Sequence, residues 1–384
     1  MAVRSKQKEV FETEVVRFAL YDVGRSIDLS CVLKIVPGTP GMKLDKRRNT
    51  PGSIQLPKPL SIDLRAGPQI AISDPRIKSL TLSARVYEEG VISFMLRLKV
   101  TATLHDLLEI ENFRISNKFA TLSLFLEDQF VELSRILRSA IRSSNKLSEN
   151  FDFEMYTAFC FFDMQGTCNQ FVEKHKKDFA NLINGDPSTT NLHESQVTKV
   201  LANSFSYSAC DWAVFGLDNC IIIDPSKDYE DLLLICELAN YQLLELRTLD
   251  RMLDSWLDEA EDDVGIFYSY TKPKKMKSHI LKKKIAFIQS MRLDALFILE
   301  NLENSSKIIG DYFLGEIYQH LCYIFNTNEW TRSIERRITA LQDVYDIVKT
   351  EKSERTTLWL EIIFIIVCIV FPLLQILQVM VMNK

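Results

Sequence analysis

The 384-residue sequence contains no Cys-x-x-Cys pair, no His-x-x-x-His or His-Glu-x-x-His, no Gly-x-x-x-x-Gly-Lys-Ser/Thr loop, no Gly-x-Gly-x-x-Gly turn and no Gly-x-Ser-x-Gly elbow. These absences remove the spacings through which helical metal pairs, nucleotide loops and hydrolase nucleophiles present their chemistry. No cofactor or metal is therefore expected, no catalytic residue is assigned, and an enzymatic role has no motif to carry it. A dominant charge is also missing: 46 Lys and Arg stand against 51 Asp and Glu, a formal net charge of -5. So small an imbalance over this length points to no specific DNA binding, and any electrostatic partner must be met by a local patch. The N-terminus lacks an apolar core, and Glu9, Glu12 and Glu14 interrupt its basic residues. A secretory signal or a transit peptide is not expected there.

What is present is an ordinary globular balance, with 47% hydrophobic and 25% charged residues, in a chain long enough for two or three domains. Eight cysteines are scattered, several inside apolar runs such as Cys160, Cys220 and Cys368. There a thiol behaves as a small hydrophobe, so the cysteines read as reduced and the body as cytosolic or matrix-like.

The pattern of residues 1–150 is that of an α+β domain. Strand-like runs cover Thr13–Tyr21, Leu29–Val36, Ser79–Tyr87 and Val91–Val100, the last two joined by the turn Glu88, Glu89, Gly90. A Pro-rich basic insertion at 37–68, with Lys43, Lys46, Arg47 and Arg48, reads as a loop. A helix is expected from Leu104, and a longer one over Phe119–Arg142, where Leu122, Phe125, Leu126, Phe130, Leu133, Ile136 and Leu137 recur at helical spacing. Residues 151–227 read as a second α+β unit: a strand at Tyr156–Phe162, a helix at Asn169–Ile183, and a hairpin of Asp211–Leu217 with Cys220–Asp224. Each half runs from a strand hairpin into a similar helix start, at His105–Ile110 and Glu230–Ile235, so a duplicated α+β head is one reading and coincidence the other.

Residues 228–355 are helical in pattern. Ile235, Ala239, Gln242, Leu246, Leu249, Leu253 and Trp256 follow four-three spacing, as do Ile334, Ile338, Leu341, Tyr345 and Val348. Long antiparallel helices packed as a hairpin or bundle stalk are expected, with an intermolecular coiled coil as the alternative and self-association as a consequence. The carboxylates from Asp250 to Asp263 fit a solvated face, or a cation site. Just beyond them Lys272, Lys274, Lys275, Lys277, Lys282, Lys283 and Lys284 form a basic run. It suits a phosphate-bearing partner, the ribosome or anionic lipid, or else a charged loop paired with neighbouring acids.

From 356 to 382 the sequence is almost wholly apolar and is expected to be one transmembrane helix, leaving a single-pass, tail-anchored protein in the lipid bilayer. Trp359 and Glu361 would mark the membrane edge, Pro372 a kink, and Gln375 and Gln378 hydrogen bonds to a neighbouring helix. Lys349, Lys352 and Arg355 precede the segment and Lys384 follows it, which keeps the body on the side of synthesis.

Ser333-Ile334-Glu335-Arg336-Arg337, Ser353-Glu354-Arg355 and Leu358-Trp359-Leu360-Glu361-Ile362-Ile363 resemble the end of the required-for-meiotic-nuclear-division and Sad-interacting factor family. Tyr87–Phe94 and Glu237–Arg247 are similar to its body, nearer its uncharacterised bacterial relatives. The resemblance implies a non-enzymatic, oligomeric, membrane-anchored protein with no catalytic residues, in which mitochondrial members support translation. The expected placement is thus a bacterial inner membrane, or the matrix side of the mitochondrial inner membrane. The leading expectation is a membrane-anchored scaffold or tether. Its alternative is an enzyme with an acidic site in the head, drawing on Asp211, Asp218, Asp224 or Asp228.

Overall fold

In a computed structural model, the structure describes residues 9–24, 26–40, 59–64, 72–142, 152–164, 166–185, 191–268, five positions between 283 and 293, and 311–382. Two compact units divide the chain: Met1–Thr248 with Ile298–Trp330, and Leu249–Phe297 with Thr331–Lys384.

The first unit is a mixed α/β head built on one nine-stranded sheet, in the order β3-β4-β5-β6-β1-β8-β11-β10-β9. Its long strands are β1 (Phe11–Asp22), β5 (Ile77–Val86), β6 (Val91–Ala102) and β8 (Phe153–Phe161), followed by β10 (Trp212–Phe215) and β11 (Asn219–Ile223). Short strands β3 (Thr39–Pro40), β4 (Leu60–Asp63) and β9 (Ser204–Phe205) complete it, and β2 (Ser26–Ile27) pairs separately with β7 (Ile141–Arg142).

Alternation along β1 explains the layering, because successive side chains of a strand point to opposite faces. Val15, Ala19 and Tyr21 join one core with Leu107, Phe125, Phe130 and Phe179. These come from α2 (Leu104–Leu108), α3 (Leu122–Ile136) and α4 (Cys168–Asn184). Val16, Phe18 and Leu20 join the opposite core with Leu233, Leu238, Ile317 and Leu321, from α6 (Glu230–Tyr268) and α7 (Tyr312–Ile324). Helices thus cover both faces of the sheet, the arrangement in which two-sided burial makes strands almost continuously apolar.

The head is one sheet rather than two copies of a unit, which corrects the duplicated α+β reading. In each half the second strand of a hairpin lies beside the lead strand, β6 beside β1 and β11 beside β8. Yet β1 and β6 are antiparallel whereas β11 and β8 are parallel. The physical reason is the connection: α4 and α5 (Glu194–Leu201) carry the chain from β8 to its hairpin, a crossover long enough to restore strand direction. Residues 29–36, expected as a strand, form α1 (Leu29–Ile35), because Asp28 caps it by accepting from the Ser30 and Cys31 N–H groups.

The second unit contains the C-terminal part of α6 and most of α8 (Thr327–Met382). Ile334, Ile338, Leu341 and Tyr345 are buried, as are Leu249, Leu253 and Ala260 on α6. Arg337 ties the two helices by pairing with Asp250 and, at 3.2 Å, with Asp254.

Among the described residues no helix is long and apolar enough to cross a membrane. This corrects the transmembrane helix expected at 356–382, and with it the single-pass, tail-anchored placement in a bacterial or mitochondrial inner membrane. The segment is no separate span. It is the end of one 56-residue helix that starts among polar and charged residues, with Glu361 inside the apolar part.

Candidate functional site

The apolar alternation of β1 breaks at Arg17, which takes a core-facing position between Val15 and Ala19 on the face covered by α2, α3 and α4. Its side chain is only 13% exposed. Burial lowers its pKa from the ordinary arginine value, opposed by the charge of Glu111. A buried guanidinium survives only with acceptors at hand. Glu111, in the short helix Ile110–Asn112 after α2, stands 2.8 Å from Nη2. Ser123 Oγ accepts from Nη2 at 3.2 Å and Thr157 Oγ1 from Nη1 at 3.4 Å. Glu111 is held in turn by the Ser123 N–H, which donates to its other oxygen at 2.8 Å, and β8 places Thr157 directly opposite Arg17.

Two openings meet at this residue, each of about 430 Å³, and Arg17, Thr157 and Asn219 line both. The first is polar, with Asp152, Glu154, Asp218 and Arg247. Arg247 pairs with Glu154, whose carboxyl is pushed up chiefly by burial. The second is bounded by the buried Leu107, Ile110, Phe159 and Leu182 and by the polar Arg17, Glu111, Ser123, Thr157 and Asn219. The signal in the sequence was a single arginine inside the run Thr13–Tyr21, and its depth depends on α3 and β8, which no local pattern places beside it.

The opposite face carries its own buried ions. Glu237 on α6 has a fully buried side chain; it pairs with Arg85 and accepts from the Tyr87 hydroxyl at 3.3 Å. Arg97 reaches Glu230 at 2.5 Å and Glu14 at 3.7 Å, and Glu14 also accepts from Tyr229. These pairs fasten α6 to β1, β5 and β6.

The residues expected to matter from sequence are dispersed. Asp211, Asp224 and Asp228 line a 520 Å³ pocket with Tyr207, Trp212 and Phe313, whereas Asp218 lines the first of the Arg17 openings. Asp211 accepts the Tyr207 and Ser208 N–H groups, and Asp224 those of Ser226 and Asp228, which are turn-building roles. Among the described residues no group of three or more His, Cys, Asp or Glu is placed to hold a metal. Trp359, Glu361 and Pro372 lie exposed on α8; Gln375 and Gln378 are in the same helix, and their side chains, like that of Val348, are outside the described residues. Lys283 is an exposed helical residue, while Lys272, Lys274, Lys275, Lys277, Lys282 and Lys284 fall outside the described residues.

The described residues of the head form a mixed α/β fold with helices on both faces of one sheet. Residues 12–230 match the family described as the N-terminal domain of the uncharacterized protein MJ0711. The chain belongs to that family. It is 23% identical over 284 residues to the uncharacterized protein MJ0711 of Methanocaldococcus jannaschii, covering 74% of this chain and 78% of that protein. No solved structure matches. These matches replace the expected likeness to the required-for-meiotic-nuclear-division and Sad-interacting factor family and its bacterial relatives, to which they lend no support.

Proposed function

We propose that the protein is a non-enzymatic scaffold that assembles with copies of itself through the C-terminal part of α8. The observation that carries this reading is the exposure of Leu358, Ile362, Ile363, Ile366, Ile369 and Phe371 along that helix, with Trp359 and Phe364 among them. A helix that is apolar all round does not stand in water. A stable interface takes about 800 Å² from each partner, and a long run of exposed apolar side chains is surface of the kind such an interface buries. The occupant that fits is the same stretch of a second copy, because it lies on the same helix as the buried residues Ile334, Ile338, Leu341 and Tyr345, and each copy offers the other an identical apolar surface.

Light scattering on the full chain in detergent-free buffer tests the reading. A discrete multimer should become a monomer in Ile363→Glu/Ile366→Glu. A monomeric native chain, or one whose mass changes only when vesicles are added, would overturn it. The lysines at 272–284 supply, in this reading, a salt-sensitive contact to ribosomal RNA, which co-sedimentation with ribosomes at rising salt would check.

A further inference from the structure

We propose that a groove in the head docks an arginine-bearing segment of a partner protein, with the guanidinium on Tyr207 and Phe313 and among the aspartates at the rim. The groove, of 520 Å³, lies within the first unit, needs no residue of α8 and is independent of self-assembly.

The loop from β9 to β10, the turn after β11, and the first turns of α6 and α7 shape it. Asp211 holds the loop by accepting the Tyr207 and Ser208 N–H groups at 3.0 and 2.8 Å. Asp311 caps α7, accepting the Leu314 N–H at 3.1 Å, and the same turn carries Phe313. The Tyr207 and Phe313 rings stand 5.5 Å apart. Tyr207 is nevertheless 76% exposed, so its ring forgoes most of the burial that ordinarily stabilises an aromatic side chain. Turn building accounts for Asp211 and capping for Asp311, but neither requires a tyrosine held in water at the mouth of a groove. An exposed tyrosine beside a concavity is the kind of residue that anchors a protein interface.

Charge decides what the aromatic pair receives. Asp211, Asp224, Asp228, Asp231 and Asp311 line the groove, and among the described residues no lysine, arginine or histidine does. The N-termini of α6 and α7 offset about half a charge each, so about four negative charges remain. An anionic partner would be repelled, and an apolar one would bury these carboxylates without partners. A cationic side chain suits both features, because the ring faces attract it and the aspartates pair with it. Arginine fits better than lysine: its planar group stacks on a ring while its fork reaches a carboxylate. A metal ion would leave the rings unused, and among the described residues no group of three or more carboxylates is placed to hold one.

Titration calorimetry of the full chain with acetyl-tetraarginine amide tests the proposal. This peptide should bind saturably, and acetyl-tetralysine amide, of equal charge, about threefold more weakly. Tyr207→Ala should weaken tetraarginine about threefold, and Asp228→Asn/Asp231→Asn about fivefold. Glu127→Gln/Glu132→Gln makes the same change of net charge on α3, at the opposite face of the sheet, and should leave binding unchanged. All of these positions are exposed, so the variants keep their fold. Equal affinity for the two peptides, undiminished binding in the groove variants, an equal loss in the α3 variant, or no saturable binding at millimolar concentrations would overturn the proposal. So would tighter binding of a peptide of residues 272–284, which has seven lysines and no arginine, because this chain's own basic run would then be the better occupant.

Discussion

Replacing Arg85 by methionine should destabilise the head by about 3–5 kcal/mol, because it strands a buried carboxylate. Glu237 is the carboxylate in question. Its side chain is fully buried, and apart from Arg85 its partner is the Tyr87 hydroxyl at 3.3 Å. A single hydrogen bond of that length to the carboxylate offsets about 1.5 kcal/mol of the lost charge pairing. Arg85 is itself 19% exposed, so some water can follow it out, which places the expected cost toward the lower end of the range. The compensating double variant Arg85→Met/Glu237→Leu removes both charges and should recover to within about 1 kcal/mol of the native protein. Urea unfolding followed by far-UV circular dichroism measures both. A single variant costing under about 1 kcal/mol, or a double variant as unstable as the single one, would refute the reasoning that this pair clamps α6 to the sheet.

Two further outcomes follow from buried groups and close packing. Burial, with the charges of Asp22 and Glu89 beside it, holds the Glu245 carboxyl well above its usual range, so the folded protein keeps a proton that the unfolded chain loses. Stability from this group is full below the ordinary carboxylate value and falls as pH rises through it. Glu245→Gln should therefore raise stability at pH 7 by about 1–2 kcal/mol and flatten its decline above pH 5, as read by unfolding midpoints across pH. Gly216→Ala should cost about 1–3 kcal/mol. A Cβ there would lie 2.7 Å from Ile183 Cγ2 and 3.1 Å from the backbone oxygens of Ile183 and Asn219, and thermal unfolding checks it.

Local pattern made much of the head legible. The run Thr13–Tyr21 is the heart of β1, the turn Glu88, Glu89, Gly90 joins β5 to β6 with Gly90 at φ 105°, and Asn169–Ile183 lies within α4. Residues 29–36 were misread because Val32 and Ile35 suit either structure, and the Asp28 cap outweighs them. The single sheet was beyond reach for another reason: pairing β1 with β8 brings together residues such as Arg17 and Thr157, 140 positions apart. For the same reason Arg17 read as one charge in a strand rather than the centre of a cleft. At the C-terminus, composition suggested a membrane span, but an apolar composition does not say whether lipid or another protein surface covers it.

The reactivity of Cys368 tests self-assembly most directly. Cys368 is exposed on α8 amid the apolar stretch, and Cys210 is an exposed thiol in the head. Alkylation of the two can be compared by mass spectrometry over a range of protein concentrations without detergent. If copies cover this stretch, Cys368 becomes protected as concentration rises while Cys210 does not. Equal reactivity of both thiols at every concentration would contradict the account.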